Sequence, residues 1–316
     1  MTSTILIGGY LTLDVVCRLG VLPDWDMRVT ASTIGHEAGG MAANMACAAV
    51  RAGADARLFA RTSDDGVGDR LVADIERHGV DVSGVRQEPG GLSTCVILVD
   101  ESGRRSIVSE PLAFDWRGID AALDDAALPP GTVLHVDGYQ LDETLSRAPR
   151  IRERGVRASI DLDGLDKLDP DQAGAIAAAF DIICANAAIA SMLAAQPEDA
   201  ARHLGAGGAR VAITLGSDGA VVVGPDTGPE AIPAPDVHVV DTTGAGDVFA
   251  GNFVSGLAAG ASTVRAASLA CAAASLATTA WGARGCVPTR EEAAAALASA
   301  EAATVNYDRD PDPQKG

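Results

Sequence analysis

The residues best placed to do chemistry run from Asp241 to Asp247, in the order Asp-Thr-Thr-Gly-Ala-Gly-Asp. The apolar pair Val239-Val240 precedes them and reads as the end of a buried strand. Val248-Phe249-Ala250 follows and opens a long Ala-rich segment that reads as a helix. Strand, glycine turn and helix together form a geometry that aims bare backbone N–H groups at an anion. Asp247 stands at the mouth of that turn. Its carboxylate can cap the helix, or it can take a proton from a hydroxyl lying against a bound phosphate.

Other stretches must position this one. Gly39-Gly40-Met41-Ala42-Ala43-Asn44 marks a second glycine loop opening into a helix over 41–52, closed by Gly53. Residues 4–9 read as a first buried strand. From 132 onward the chain alternates strand and helix, with strands at 132–137, 156–161, 181–184, 209–215 and 219–223. That rhythm predicts a mostly parallel sheet with helices on both faces. Two segments, 11–36 and 92–110, break the rhythm and read as antiparallel strands. Asp100-Glu101-Ser102-Gly103 is the hairpin turn of the second. A small sheet made of these segments would stand off the main one and cover a cleft. The reading thus divides the chain into an α/β core (1–10, 37–91 and 111–304), a β lid (11–36 and 92–110) and a disordered tail (305–316).

Asp241–Asp247 resembles the C-terminal signature of the ribokinase-like (PfkB) carbohydrate kinase family, and the resemblance extends from about residue 5 to 290. It implies a three-layer ribokinase-like fold and ATP-dependent transfer of a phosphoryl group to a hydroxyl of a sugar or sugar derivative. Asp247 would be the general base. The N–H groups of Gly244, Ala245 and Gly246 would form an anion hole, and Mg2+ would bridge the phosphates. Gly39, Gly40 and Asn44 are similar to the family's N-terminal substrate motif, and Asp14 matches its substrate-binding aspartate. A carboxylate and an amide can each hold two neighbouring hydroxyls, and leaving such groups unpaired is costly. Tight packing at the glycines and a turn at Asp14 are the plainer readings of the same residues.

On the nucleotide side, Thr214, Gly216 and Gly219 resemble the family's base-side turn, and Cys271 falls where the family lays a helix against adenine. Asn186 keeps the first residue of the family's Asn-x-x-Glu element, but Ile189 replaces its glutamate, so either the metal would rest on other acids, with Asp161, Asp163 and Asp241 the nearest candidates, or metal dependence is altered. The loops around 241–243 and 279–287 are similar to those that hold a monovalent cation, K+ in this reading, with Asp241 and Thr243 as its ligands. The lid implies a homodimer. Arg28, Arg104, Arg105, Glu110 and Tyr139 would select the acceptor. A nucleoside acceptor, or a non-catalytic sugar- or nucleoside-binding member, are the alternatives.

Composition sets the outer bounds. The chain has 316 residues, 47% of them hydrophobic and only 3% aromatic, so aliphatic packing must build the core. A formal net charge of −19 argues against nucleic acid and anionic membranes as partners. No apolar run reaches the roughly 20 residues of a membrane span. The six cysteines are scattered and suit buried thiols in a reducing cytoplasm. Gly8-Gly9-Tyr10-Leu11 follows the first strand without the G-x-G-x-x-G spacing, which disfavours a dinucleotide-dependent oxidoreductase.

Overall fold

The structure is a computed structural model and describes residues 3–101, 104–112, 114, 116–125 and 127–309. In chain order the strands are β1 (Thr4–Gly8), β2 (Thr12–Arg18), β3 (Thr33–Gly39), β4 (Asp55–Phe59), β5 (Arg61–Thr62), β6 (Arg86–Gln87), β7 (Ser93–Val99) and β8 (Arg105–Ser109). They continue with β9 (Val133–Asp137), β10 (Arg157–Asp161), β11 (Ile182–Asn186), β12 (Arg210–Thr214), β13 (Ala220–Gly224) and β14 (Thr227–Ile232). The helices are α1 (Met41–Arg51), α2 (Gly66–Arg77), α3 (Arg117–Leu123), α4 (Leu141–Glu153), α5 (Pro170–Ala179), α6 (Ala187–Leu193), α7 (Pro197–Leu204), α8 (Ala245–Ala258), α9 (Thr263–Ala277) and α10 (Arg290–Arg309).

The main sheet has the order β14-β13-β12-β11-β10-β9-β1-β4. It is parallel from β4 to β12 and antiparallel at β13 and β14. Strands buried on both faces need apolar residues on both, and β1 is accordingly Thr-Ile-Leu-Ile-Gly with Ile5, Leu6 and Ile7 buried. One face packs on α1, α8 and α9 through Ala43, Met45, Phe249, Phe253 and Ala270. The other packs on α3 to α7 through Ile119, Ile151, Ile176, Ile189 and Leu204. These are the two helical layers of a three-layer α/β fold.

A second, smaller sheet has the order β3-β2-β7-β8, with β2 antiparallel to β3, parallel to β7, and β7 antiparallel to β8. It gathers both segments that broke the strand–helix rhythm. β3 runs on to Gly39, so the second sheet leads straight into α1. Ser102 and Gly103 of the predicted hairpin turn lie outside the described residues.

Two expectations change. Val239 and Val240 are not in a strand: residues 233–243 run as irregular backbone, and Val239 is exposed. The segment borders two cavities instead of joining the sheet. The last helix continues to Arg309, past the start of the expected disordered tail. Its Ala-Glu-rich sequence has high intrinsic helix propensity, which carries the backbone on. Residues 310–316 lie outside the described residues.

Candidate active site

The carboxyl ends of the parallel strands carry a row of polar residues: Asp137 on β9, Asp161 on β10, Asn186 on β11 and Thr214 on β12. In an open α/β sheet this edge is where ligands bind. Asp137 and Asp161 are register partners and both are buried.

Helix α8 begins beside this row. Its N-cap, Gly244, has φ 77°, and a Cβ there would lie 2.7 Å from that of Ala283, so the turn requires glycine. No side chain caps the helix. The Ala245 N–H turns back to the Thr242 carbonyl at 3.3 Å. The N–H groups of Gly244, Gly246 and Asp247 form no hydrogen bond among the described residues. The open donors of the turn are therefore Gly244, Gly246 and Asp247, with Ala245 partly engaged. A Cβ built at Gly246 would meet nothing within 4 Å. The protein itself does not need glycine there, whereas a ligand lying against the backbone would.

Asp247 is half-buried in the first turn of α8, and its carboxylate does not cap the helix. Its Oδ2 accepts a hydrogen bond from Asn44 Nδ2 at 2.8 Å. Burial pushes the Asp247 carboxyl up to about 8; Asn44 opposes this, Asp161 and Asp163 add to it, and Arg284 opposes it. Burial likewise pushes Asp161 up to about 7. Asp137 is driven well above the carboxylate range by burial and by the charges of Asp161 and Asp247, against a hydrogen bond from the Tyr10 backbone. The Asp137 Oδ2 is buried without a hydrogen-bond partner among the described residues. It lies so close to Gly9 that a Cβ there would come within 2.2 Å of it.

Asp14 on β2 accepts from Thr12 Oγ1 at 2.7 Å, and burial raises its carboxyl against that bond and the nearby Arg284 charge. A Cβ at Gly39 would lie 2.0 Å from Asp14 Oδ2. Glycine at 39 thus makes room for the carboxylate, so Gly39 and Asp14 are one feature. Gly40, with φ 98°, is the N-cap of α1 and hands the chain to Asn44 one turn later.

A cavity of about 610 Å³ lies on the other side of the anion turn. Thr214, Gly216, Gly219 and Cys271 line it together with Ala245, Gly246 and Phe249. The expected nucleotide-side residues thus meet, except Asn186. That residue caps α6 by accepting the Ile189 N–H at 3.0 Å and donates to Asp163 Oδ1 at 2.9 Å.

Ile189 is 2% exposed and packed in the core with Leu204 and Ile183. Its position in Asn-x-x-Ile is that of a third helical residue, and its side chain faces the sheet. Asp241 accepts the Thr243 N–H and Oγ1 through one oxygen and the Gly282 N–H through the other. It ties the two loops read as a cation site, and those bonds lower its carboxyl against the effect of burial. No group of three or more His, Cys, Asp or Glu arranged to hold a metal exists among the described residues. What the donor set fits is Mg2+ carried on a nucleotide and still largely hydrated. The exposed Asp163 and its partner Asn186 are the residues that would hold it.

Sequence reasoning missed Asp137 and Arg284. Asp137 carried a signal, an acid ending a predicted buried strand beside Asp161. Arg284 carried none, because its loop stood out only for its likeness to a cation-holding loop.

The family model described as pfkB family carbohydrate kinase matches residues 10–290, and the chain belongs to that family. It is 33% identical over 296 residues to an ATP-dependent ribose-1-phosphate kinase of Halopiger xanaduensis, covering 93% of this chain and 97% of that one. It is 26% identical over 287 residues to the ketohexokinase of Mus musculus, covering 84% and 93%. The family match and the named relatives make this chain a phosphotransferase with an alcohol group as acceptor. The solved ribokinase of Arabidopsis thaliana, in complex with ribose and ATP, shares the fold with a TM-score of 0.78 at 22% identity, covering 94% and 99%.

Proposed function

We propose that the chain transfers the γ-phosphoryl group of ATP to a hydroxyl of a sugar or sugar phosphate, with Asp247 as general base. The observation that carries this reading is the placement of Asp247. It borders the open N–H groups of the α8 turn on one side and Asn44 on the other. A hydroxyl held against Asp247 would lie next to a phosphoryl group held by the turn.

Phosphoryl transfer needs little covalent chemistry from the protein, so positioning and charge stabilisation do most of the work. Gly244, Gly246 and Asp247 N–H groups face the charge that develops on the transferred group. Asp247 accepts the hydroxyl proton. Asp14 and Asn44 orient the acceptor. Thr214, Gly216, Gly219 and Cys271 border the nucleotide. Asp163 and Asn186 would hold Mg2+ brought with ATP, and it would supply charge neutralisation at the phosphates. The second sheet serves as the lid that keeps water, a competing acceptor, out of the cleft.

Ribose 1-phosphate leads the acceptor candidates, because the relative that is 33% identical carries that activity in its name. A nucleoside acceptor is the second reading, supported by a cytidine kinase of Thermococcus kodakarensis at 29% identity. The test is an ATP-coupled assay over ribose, ribose 1-phosphate, ketohexoses, sugar acids and nucleosides. One acceptor class turned over well above the others confirms the kinase and names its substrate. ADP release with none of them, alongside intact ATP binding, would support a non-catalytic member.

A further inference from the structure

Arg284 has no role in the reading so far. It lies in the loop between α9 and α10, and its side chain is only 9% exposed. Its guanidinium serves three elements. Nη1 donates to Asn44 Oδ1 on α1, and Nη2 donates to the Ala38 carbonyl at the end of β3. Nη2 also reaches Asp74 Oδ2 on α2 at 3.2 Å. Asn44 passes the connection on, donating from Nδ2 to Asp247.

This chain of bonds has a direction. A guanidinium can only donate, and an ionised carboxylate can only accept. An amide between them satisfies both in one orientation, with oxygen toward Arg284 and NH2 toward Asp247. We propose that Arg284 is a positioning residue of the transfer reaction: it holds the Asn44 amide so that its N–H faces Asp247, and ties that amide to the end of β3. The proposal deepens the kinase reading and rests on it.

Without Arg284 the amide is free to rotate and set its carbonyl against the carboxylate. Two acceptors then face each other and the base loses its donor. The base would also lose a cation. The charged and titratable groups around Asp247 are Asp137 from β9, Asp161 at the end of β10, Asp163 just beyond it, Tyr139 and Arg284. Removing Arg284 leaves carboxyl groups and a phenol there. The second sheet also loses a strut, since Ala38 belongs to β3.

The test is a double-mutant cycle of Arg284→Ala and Asn44→Ala, read in two ways. Turnover with the best acceptor gives the first. Each single substitution should lower kcat about fivefold or more, and the pair should cost little beyond Asn44→Ala alone, because coupled residues are not additive. Carboxyl-carbon NMR of the Asp247 titration, with no acceptor present, gives the second. Arg284→Ala and Asn44→Ala should each shift that titration to higher pH. Where Arg284→Ala does not fold, Arg284→Met carries the same cycle, since it fills the space and has no donor for the Asn44 oxygen. Fully additive losses in kcat would overturn the proposal, and so would an Asp247 titration unmoved by the Arg284 substitution. Failure of the kinase reading would appear separately, as wild-type protein that phosphorylates no acceptor while the NMR cycle still decides whether Arg284 acts on Asp247.

Discussion

Asn44 and Asp247 lie 203 residues apart in the chain and 2.8 Å apart in space, joined by one hydrogen bond from amide to carboxylate. The bond links the first turn of α1 to the first turn of α8, and the two helices pack side by side. Both helices start at a glycine N-cap with positive φ and no side-chain cap. The fold therefore brings the two glycine junctions of the sequence together at one place.

Asp247→Asn keeps the shape of the side chain and removes its ability to take a proton. Turnover should fall on the order of 10²–10⁴-fold. ATP affinity, measured by calorimetry, should stay close to wild type, because the cavity residues and the N–H groups of the turn are untouched. Near-normal turnover would rule out the base. A loss of thermal stability as large as the loss of rate would instead indicate that the carboxylate only holds the helix.

Asn44→Ala tests the same bond from the other side. It should depress kcat and acceptor affinity together while leaving nucleotide affinity almost unchanged, since Asn44 is on the Asp247 side of the anion turn and absent from the cavity lining. The residue is 6% exposed, so some stability should also be lost. A larger loss on the nucleotide side, seen by titration with ATP and with acceptor in turn, would reverse the assignment of the two ends.

The buried acids make the pH dependence readable. A base must be deprotonated to act, and Asp247 is pushed up to about 8. kcat/KM should therefore rise with pH toward about 8 and fall away below it. The stability effect has the opposite sign. A carboxyl raised in the folded state favours folding at low pH, and that contribution is lost as pH rises through the folded value. For Asp161, held up to about 7, the loss falls between about pH 4 and 7. Asp161→Asn should leave the melting temperature near wild type at about pH 4 and raise it relative to wild type at pH 8, with a smaller rise at pH 5. Equal differences at all these pH values would show that Asp161 is ionised in the folded protein throughout.

How much of this was legible depended on how local each feature is. The anion turn is contiguous, and the three-layer fold follows from a repeated strand–helix rhythm. The second sheet could be read because its segments broke that rhythm. Val239 and Val240 misled, since an apolar pair after a proline suits a strand, yet here the irregular segment borders the cavity around Phe249 and Cys271. Periodicity alone does not separate a residue buried in a sheet from one held for a ligand. Arg284 was illegible because its meaning lies in partners on β3, α1 and α2, which only the fold assembles.

Ile189 gives the sharpest test of a family pattern against local packing. In the family pattern its place belongs to a glutamate near the metal and phosphates. In this chain the residue is 2% exposed, and its backbone N–H donates to Asn186 Oδ1. The side chain belongs to a hydrophobic core cluster that also holds Ile183 and Leu204. A glutamate in that space would lose its hydration and gain no partner, at a cost of several kcal/mol or a carboxyl that stays protonated. Ile189→Glu should therefore melt well below wild type, and its response to Mg2+ in excess of ATP should not change. Ile189→Val, which removes one methylene, should cost about 0.5–1.5 kcal/mol and leave the metal response alone. The measurements are thermal melts and Mg2+ titrations of turnover for both variants. A stable Ile189→Glu with a tightened Mg2+ response would mean that α6 turns this position toward the cleft, and that the metal is held by more than Asp163 and Asn186.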